Sequence, residues 1–82
     1  MKGTIEIINL RKNWVAVRTQ DDDYSVLELL GDYSPELGDV LSGNLHNLQG
    51  ETVVNQTQGE SWDVYIQDIH GSKDIAFRMT SE

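Results

Sequence analysis

The chain is short, acidic and free of cysteine. Its 82 residues carry 14 Asp and Glu against 6 Lys and Arg, a net charge of −8, and 38% of them are hydrophobic. At this length we expect one domain spanning residues 1–82. The lack of cysteine excludes disulfides and thiolate metal sites. Because no apolar run has the length of a signal peptide or a membrane helix, we expect a soluble cytoplasmic protein.

The charge is distributed unevenly along the chain. Residues 1–18 have a net charge of +3, and residues 19–82 have a net charge of −11. The whole chain therefore repels phosphate backbones, but a local basic strip still acts within a Debye length of about 8 to 10 Å. The basic residues of the first segment are Lys2, Arg11, Lys12 and Arg18.

The first third of the chain has the alternation of a three-stranded meander. Gly3 to Asn9 is predicted to be a strand with Ile5 and Ile7 on one side, and Ile8 breaks the pattern, which indicates a bulge near it. A polar turn precedes a second strand at Trp14 to Thr19, and the Asp-rich turn that follows leads into a third strand at Tyr24 to Leu30.

Shorter strands separated by Gly and Asn turns are predicted for the rest of the chain. The one proline, Pro35, marks a corner, and Gly43 allows a bend in the fourth strand. For Ile75 to Met79 we favour an edge strand over a short helix capped by Ser72. The pattern predicts an all-β fold, a small OB-like antiparallel barrel of five to seven short strands, with an SH3-like barrel as the alternative. The predicted later strands are Asp39 to Leu45, Thr52 to Thr57, Ser61 to Ile69 and Ile75 to Met79.

Roughly the first 45 residues resemble a known family. Met1 to Ile5, Asn9, Lys12 and the strand Trp14 to Val17 are similar to the first half of cold-shock and S1-like OB domains, and Gly38 to Leu45 is similar to their fourth strand. The resemblance implies binding of single-stranded nucleic acid on strands two and three, where aromatic rings stack on bases between basic side chains. Of the matching positions, Lys12, Trp14 and Tyr24 keep the expected residue character, whereas Ala16 replaces an aromatic residue.

Trp14 is the centre of the candidate binding face. Lys12 and Arg18 share its strand parity, and a tryptophan between two cations is typical of a base-stacking platform. The alternative is that Trp14 packs into the core or under the last segment of the chain. We expect Trp62, in contrast, to be a core residue with Val64 and Ile66. The predicted nucleic-acid-binding residues are Lys12, Trp14, Arg18 and Tyr24.

The sequence contains no recognisable catalytic or metal-binding motif. Asp21, Asp22 and Asp23 lack the alternating ligands of a calcium loop, and we interpret them as a solvated turn. His46 and His70 stand alone, without a histidine or glutamate at ligand spacing. No serine lies in a nucleophile motif. We therefore expect no metal, no cofactor and no enzymatic activity.

Two functions remain open for a noncatalytic domain of this kind. The first is weak binding of single-stranded nucleic acid through the face of the second strand. The second is an acidic protein interaction module that docks on a basic partner, with Asp21 to Asp23 as its first candidate contact.

Overall fold

A computed structural model describes all residues, Met1–Glu82. It contains six β-strands followed by one α-helix. The elements are β1 (Lys2–Asn9), β2 (Trp14–Thr19), β3 (Tyr24–Leu29), β4 (Val40–Ser42), β5 (Gly50–Asn55), β6 (Glu60–Gly71) and α1 (Lys73–Ser81).

The strands close into an antiparallel barrel in the order β1-β2-β3-β6-β5-β4. Two three-stranded meanders, β1-β2-β3 and β4-β5-β6, are joined by the β3–β6 pair on one side and the β1–β4 pair on the other. The predicted small antiparallel barrel is confirmed, and its six strands fall within the expected range. Closure leaves no free sheet edge, which removes a common route to aggregation.

Inward-facing side chains of all six strands fill the barrel. Trp62 is fully buried, as predicted, and the ring of Tyr33 stacks on it with centroids 5.1 Å apart. Gly3 lies where a Cβ atom would collide with the side chain of Val17, so glycine is needed for the close approach of β1 and β2. The buried core consists of Ile5, Val15, Val17, Leu27, Leu29, Leu41, Leu45, Val53, Trp62, Val64 and Ile66.

The bulge in β1 changes which isoleucines face the interior. The register shifts between Ile5 and Ile7 instead of at Ile8. Ile5 and Ile8 therefore pack on the barrel core, whereas Ile7 packs on a second apolar cluster outside it. The prediction that Ile5 and Ile7 share a face is wrong, because the extra residue in the bulge reverses the parity of the strand.

The last segment is a helix, and the predicted edge strand at Ile75 to Met79 is wrong. The Ser72 side chain accepts a hydrogen bond from the Ile75 backbone N–H at 3.3 Å, and Asp74 lies in the first turn, where a negative charge is favourable. A seventh strand would have no partner in a closed barrel. The chain has no helix with the length and hydrophobicity that crossing a membrane requires.

Helix α1 packs on the outer surface of β1, β2 and β3. Ala76 is buried there against a small apolar patch, with Ile7, Trp14 and Met79 around it. The absence of large side chains at Ala16 and Ala76 lets the helix approach the sheet closely. The buried members of this second cluster are Ala16, Tyr24, Val26 and Ala76.

Candidate functional site

Trp14 and Lys12 lie beside the C-terminal turn of α1. Trp14 is half-buried and packs on the second apolar cluster. The Lys12 ammonium lies 3.9 Å from the centroid of the Trp14 ring and donates a hydrogen bond to the Met79 carbonyl oxygen at 2.6 Å. A cation at this position also interacts favourably with the negative end of the helix dipole. The Trp14 ring is thus partly covered by the last segment, which was one of the two alternatives considered.

Arg18 and Tyr24 meet at a different point, on the Glu6 carboxylate. The Arg18 Nε atom lies 2.9 Å from Glu6 Oε2, and the Tyr24 hydroxyl donates to Glu6 Oε1 at 2.5 Å. Burial, together with the neighbouring Glu6 carboxylate, raises the pKa of Tyr24 to about 12. Tyr24 is buried. Its ring therefore offers little surface for stacking on a base.

The four predicted residues therefore form two pairs instead of one platform. Trp14 and Arg18 are four positions apart on β2, a separation of about 13 Å. Lys12 and Trp14 are held by the helix, and Arg18 and Tyr24 are cross-strand neighbours joined through Glu6. Each of the four already makes an internal contact.

A cluster that the sequence reasoning missed lies at one end of the barrel. The two histidines of the chain converge on the Asp23 carboxylate. His46 Nε2 lies 3.0 Å from Asp23 Oδ1, and His70 Nδ1 lies 2.7 Å from Asp23 Oδ2. The imidazole rings lie with their centroids 4.3 Å apart and their planes tilted by 48°. The two histidines have no ligand partner at close spacing in the sequence, but the fold brings them together, so the interpretation of them as isolated residues is wrong.

Three separate segments position these side chains. His46 follows Leu45, which is buried in the barrel and whose carbonyl oxygen accepts a hydrogen bond from the Ser25 hydroxyl at 2.6 Å. His70 has a left-handed backbone conformation, with φ 55°, which is uncommon for a residue with a Cβ atom. Gly71 then pairs with Tyr24, so the end of β6 lies beside Asp23.

Hydrogen bonds hold Asp23 in its ionised form. Burial by itself would raise the pKa of this carboxyl, but donors on Thr19, His46 and His70 outweigh it and lower the pKa to about 2. The rest of the acidic turn is also partly engaged. Asp22 Oδ1 lies 3.4 Å from Arg18 Nη1, and Asp21 Oδ2 lies 3.8 Å from His46 Nδ1. Asp21 and Asp22 are exposed, as expected for a solvated turn, whereas the Asp23 side chain is only 20% exposed.

Helix α1 contacts β3 and β6 near Val26 but makes no contact with β5. Beyond Val26, from the end of β3 across β6 to β5, the wall of the barrel carries exposed side chains. We call its outward surface the open face, defined by the six residues Glu28, Leu30, Thr52, Val54, Asp63 and Tyr65. Tyr65 is 43% exposed and Leu30 is 55% exposed. A shallow depression of about 440 Å³ lies next to Leu30, lined by Leu30, Gly50, Glu51, Thr52, Asp63 and Val64.

The charge of the open face is negative and unbalanced. The chain has no Lys or Arg between Arg18 and Lys73, so no strand of this wall contributes a cation. The Glu28 carboxylate accepts a hydrogen bond from the Gln67 amide at 2.8 Å, and the Asp63 carboxylate accepts one from the Thr52 hydroxyl at 3.0 Å. These neutral donors orient the carboxylates without neutralising their charge.

Comparison with protein-family models, with curated proteins and with solved structures finds no match to this chain. Its function must therefore be inferred from the geometry of its own residues.

Proposed function

We propose that the protein is a noncatalytic binding domain that docks on a lysine- and arginine-rich segment of a partner protein. The observation that carries this proposal is the open face, where carboxylates without a cationic partner lie beside exposed apolar side chains. This arrangement matches the usual composition of an interface, in which an aromatic or aliphatic centre is surrounded by charges that steer the partner.

Tyr65 is the expected centre of the contact. In the sheet it lies opposite Glu28 on β3 and opposite Gly50 on β5. Because Gly50 has no side chain, one flank of the phenol ring is open. A guanidinium can therefore lie over the ring while it pairs with Glu28 or with Asp63, two positions away on β6.

The positions of the basic residues support the same choice of surface. Arg18 is already paired with Glu6 and Asp22, and Lys12 is bonded to the Met79 carbonyl. The carboxylates of the open face have no such ion pair. A cationic segment approaching the barrel is therefore attracted most strongly to the wall formed by β3, β6 and β5.

The experiment is a titration of the chain with a fluorescent arginine-rich peptide, followed by anisotropy at low salt. We expect saturable binding that weakens as salt rises. Tyr65→Ala should weaken it about tenfold, and Asp63→Asn about two- to fivefold. Asp74→Asn on α1 makes the same charge change away from the open face and should leave the affinity unaltered. Equal losses in Asp63→Asn and Asp74→Asn would mean nonspecific charge attraction and would contradict the proposal.

Binding of single-stranded nucleic acid is the second candidate. The cold-shock and S1-like resemblance of the first 45 residues belongs to this candidate, and the contact of the Lys12 ammonium with the Trp14 ring favours it, since Trp14 is only half-buried. A base could stack on the free part of the indole once Lys12 turns from the Met79 carbonyl to a phosphate.

Tryptophan fluorescence tests this second candidate directly. Trp62 is fully buried, so quenching by an added oligonucleotide would come from Trp14. We expect quenching that is lost in Trp14→Phe and that weakens with salt. No quenching at low salt would remove the nucleic-acid hypothesis and leave the peptide titration unaffected.

A further inference from the structure

We propose that Asp23, His46 and His70 form a binding site for a divalent late first-row transition metal, with Zn²⁺ as the expected ion. The site is independent of the open face, and its residues lie at the end of the barrel where the β2–β3 turn, the β4–β5 loop and the end of β6 meet.

The donor atoms are already gathered. One ligand atom from each of the three side chains lies within 4.8 Å of the other two. Two imidazole nitrogens and one carboxylate oxygen are a donor set that suits Zn²⁺, Ni²⁺ and Cu²⁺, whereas Mg²⁺ and Ca²⁺ prefer oxygen ligands alone. With metal–nitrogen bonds of about 2.0 to 2.1 Å, donors in a tetrahedral site lie roughly 3.3 Å apart.

Little rearrangement separates the hydrogen-bonded cluster from a coordinated ion. His46 Nε2 and His70 Nδ1 lie 3.0 and 2.7 Å from the Asp23 oxygens. These separations run to different oxygens of the carboxylate, so an ion held by both imidazoles and one carboxylate oxygen requires the side chains to adjust within the 4.8 Å that encloses the donor atoms. Each ring proton then resides on the other nitrogen. For His70 that nitrogen is on a side chain 60% exposed to solvent.

The surroundings place a second carboxylate and a hydroxyl beside the cluster. Asp21 Oδ2 lies 3.8 Å from His46 Nδ1, the nitrogen that does not face Asp23. A carboxylate behind a ligating histidine fixes the ring orientation and increases its basicity as a ligand. Thr19 donates its hydroxyl to Asp23 Oδ1, which leaves Oδ2 as the freer oxygen for the ion. The His70 side chain is 60% exposed, so the cluster is accessible to an ion from solvent.

A bound ion would join three segments that are distant in sequence. Because the β4–β5 loop, residues 43–49, is the longest connection at this end of the barrel, linking it to the other two segments through His46 would stabilise the folded state. Binding to the folded chain alone raises its stability in proportion to the logarithm of the metal concentration. The expected site is therefore structural, in line with the proposed noncatalytic role of the domain.

Isothermal titration of the untagged chain with ZnCl₂ tests the site. We expect one ion per chain and a rise in melting temperature of roughly 10 °C or more at a hundredfold excess over Kd. His70→Ala should weaken binding more than tenfold, and because its side chain is exposed, this variant is expected to fold. Asp21→Asn should weaken binding about tenfold by removing the outer carboxylate.

The controls make the outcome decisive. Asp74→Asn, an acid on α1 outside the cluster, should bind Zn²⁺ as the original chain does, and MgCl₂ should give no comparable binding or thermal shift. In NMR spectra of the original chain, Zn²⁺ should move the ring signals of both histidines together. Zn²⁺ affinity that survives His70→Ala, or the absence of any binding to the original chain, would overturn the proposal.

Discussion

The two walls of the barrel differ in what lies over them. The wall of β1, β2 and β3 is covered by α1 and carries a second apolar cluster, and two of its cations, Arg18 and Lys12, make internal contacts with Glu6 and the Met79 carbonyl. From the end of β3 across β6 to β5 the wall carries exposed side chains and no Lys or Arg. The comparison indicates that Lys12 and Arg18 serve the fold, whereas Glu28 and Asp63 on the other side make no ion pair.

The largest effect on stability should come from detaching α1 from the barrel. Ala76→Glu places a charge where α1 is buried against β2 and β3, and we expect the free energy of unfolding to fall by about 3 kcal/mol or more. The emission of Trp14 should shift to the red as α1 detaches. Urea denaturation followed by fluorescence measures both effects.

The matched control is Ile75→Glu, one residue earlier on the exposed side of α1. It should change the free energy of unfolding by no more than about 0.5 kcal/mol. Equal destabilisation by the two variants would mean that α1 does not pack through Ala76.

The junction of β4 with β5, at the edge of the uncovered wall, depends on hydrogen bonds to Asp39. Asp39 is buried and accepts hydrogen bonds from the amides of Asn55 and Gln58 at 2.9 and 2.8 Å and from the Glu36 N–H at 3.1 Å. Asp39→Ala leaves the buried Asn55 amide without its acceptor, and we expect a loss of about 2 to 3 kcal/mol. Asp32→Ala, at an exposed acid in the preceding loop, should be nearly neutral in the same denaturation experiment.

The covered wall should also respond to alkaline pH. The pKa of Tyr24 is raised from 10.0 to about 12, so the folded state holds the phenolic proton more tightly than the unfolded state does. The stabilisation is complete below pH 10 and is lost as the pH rises towards 12. Urea midpoints measured across this range should fall more steeply for the original chain than for Tyr24→Phe. Parallel curves would show that Tyr24 does not contribute.

The smallest effect concerns one atom under α1. The Thr80 hydroxyl oxygen is buried without a hydrogen-bond partner. Thr80→Val replaces it with a methyl group of similar size, and we expect stability to be unchanged or to rise by up to about 1 kcal/mol. Thr80→Ser keeps the hydroxyl and removes the methyl group, so it should be destabilising instead. A gain in both variants would indicate that packing at Thr80 is strained.

The barrel and most of its strands follow from local patterns in the sequence. Val15 and Val17 alternate with Trp14 and Arg18, and this alternation places β2 correctly, with its valines in the core. The prediction of which β1 side chains face the core failed at the bulge, because one inserted residue cannot be recognised in a short alternating run. The helix was missed although Ser72 and Asp74 signal its start, since Ile75 to Met79 also alternates like a strand.

The Asp23 cluster could not be predicted from residue spacing. His46 and His70 lie on different connections, and they meet Asp23 only when the pairing of β3 with β6 brings Gly71 opposite Tyr24. Likewise, the hydrogen bond from the Lys12 ammonium to the Met79 carbonyl depends on where α1 packs on the barrel. Both features arise from contacts between elements that are distant in sequence. The alternation of apolar residues is a property of a single strand and can therefore be recognised in the sequence.

The gap in basic residues between Arg18 and Lys73 also determines how a partner can be detected. Trypsin leaves this whole stretch of the denatured chain as one peptide, and amine-reactive crosslinkers find no attachment point on β3, β5 or β6. Such reagents report only neighbours of Met1, Lys2, Lys12 and Lys73. Carbodiimide coupling of a partner's own lysines to Glu28 or Asp63 is therefore the chemistry that can capture a complex formed on this wall.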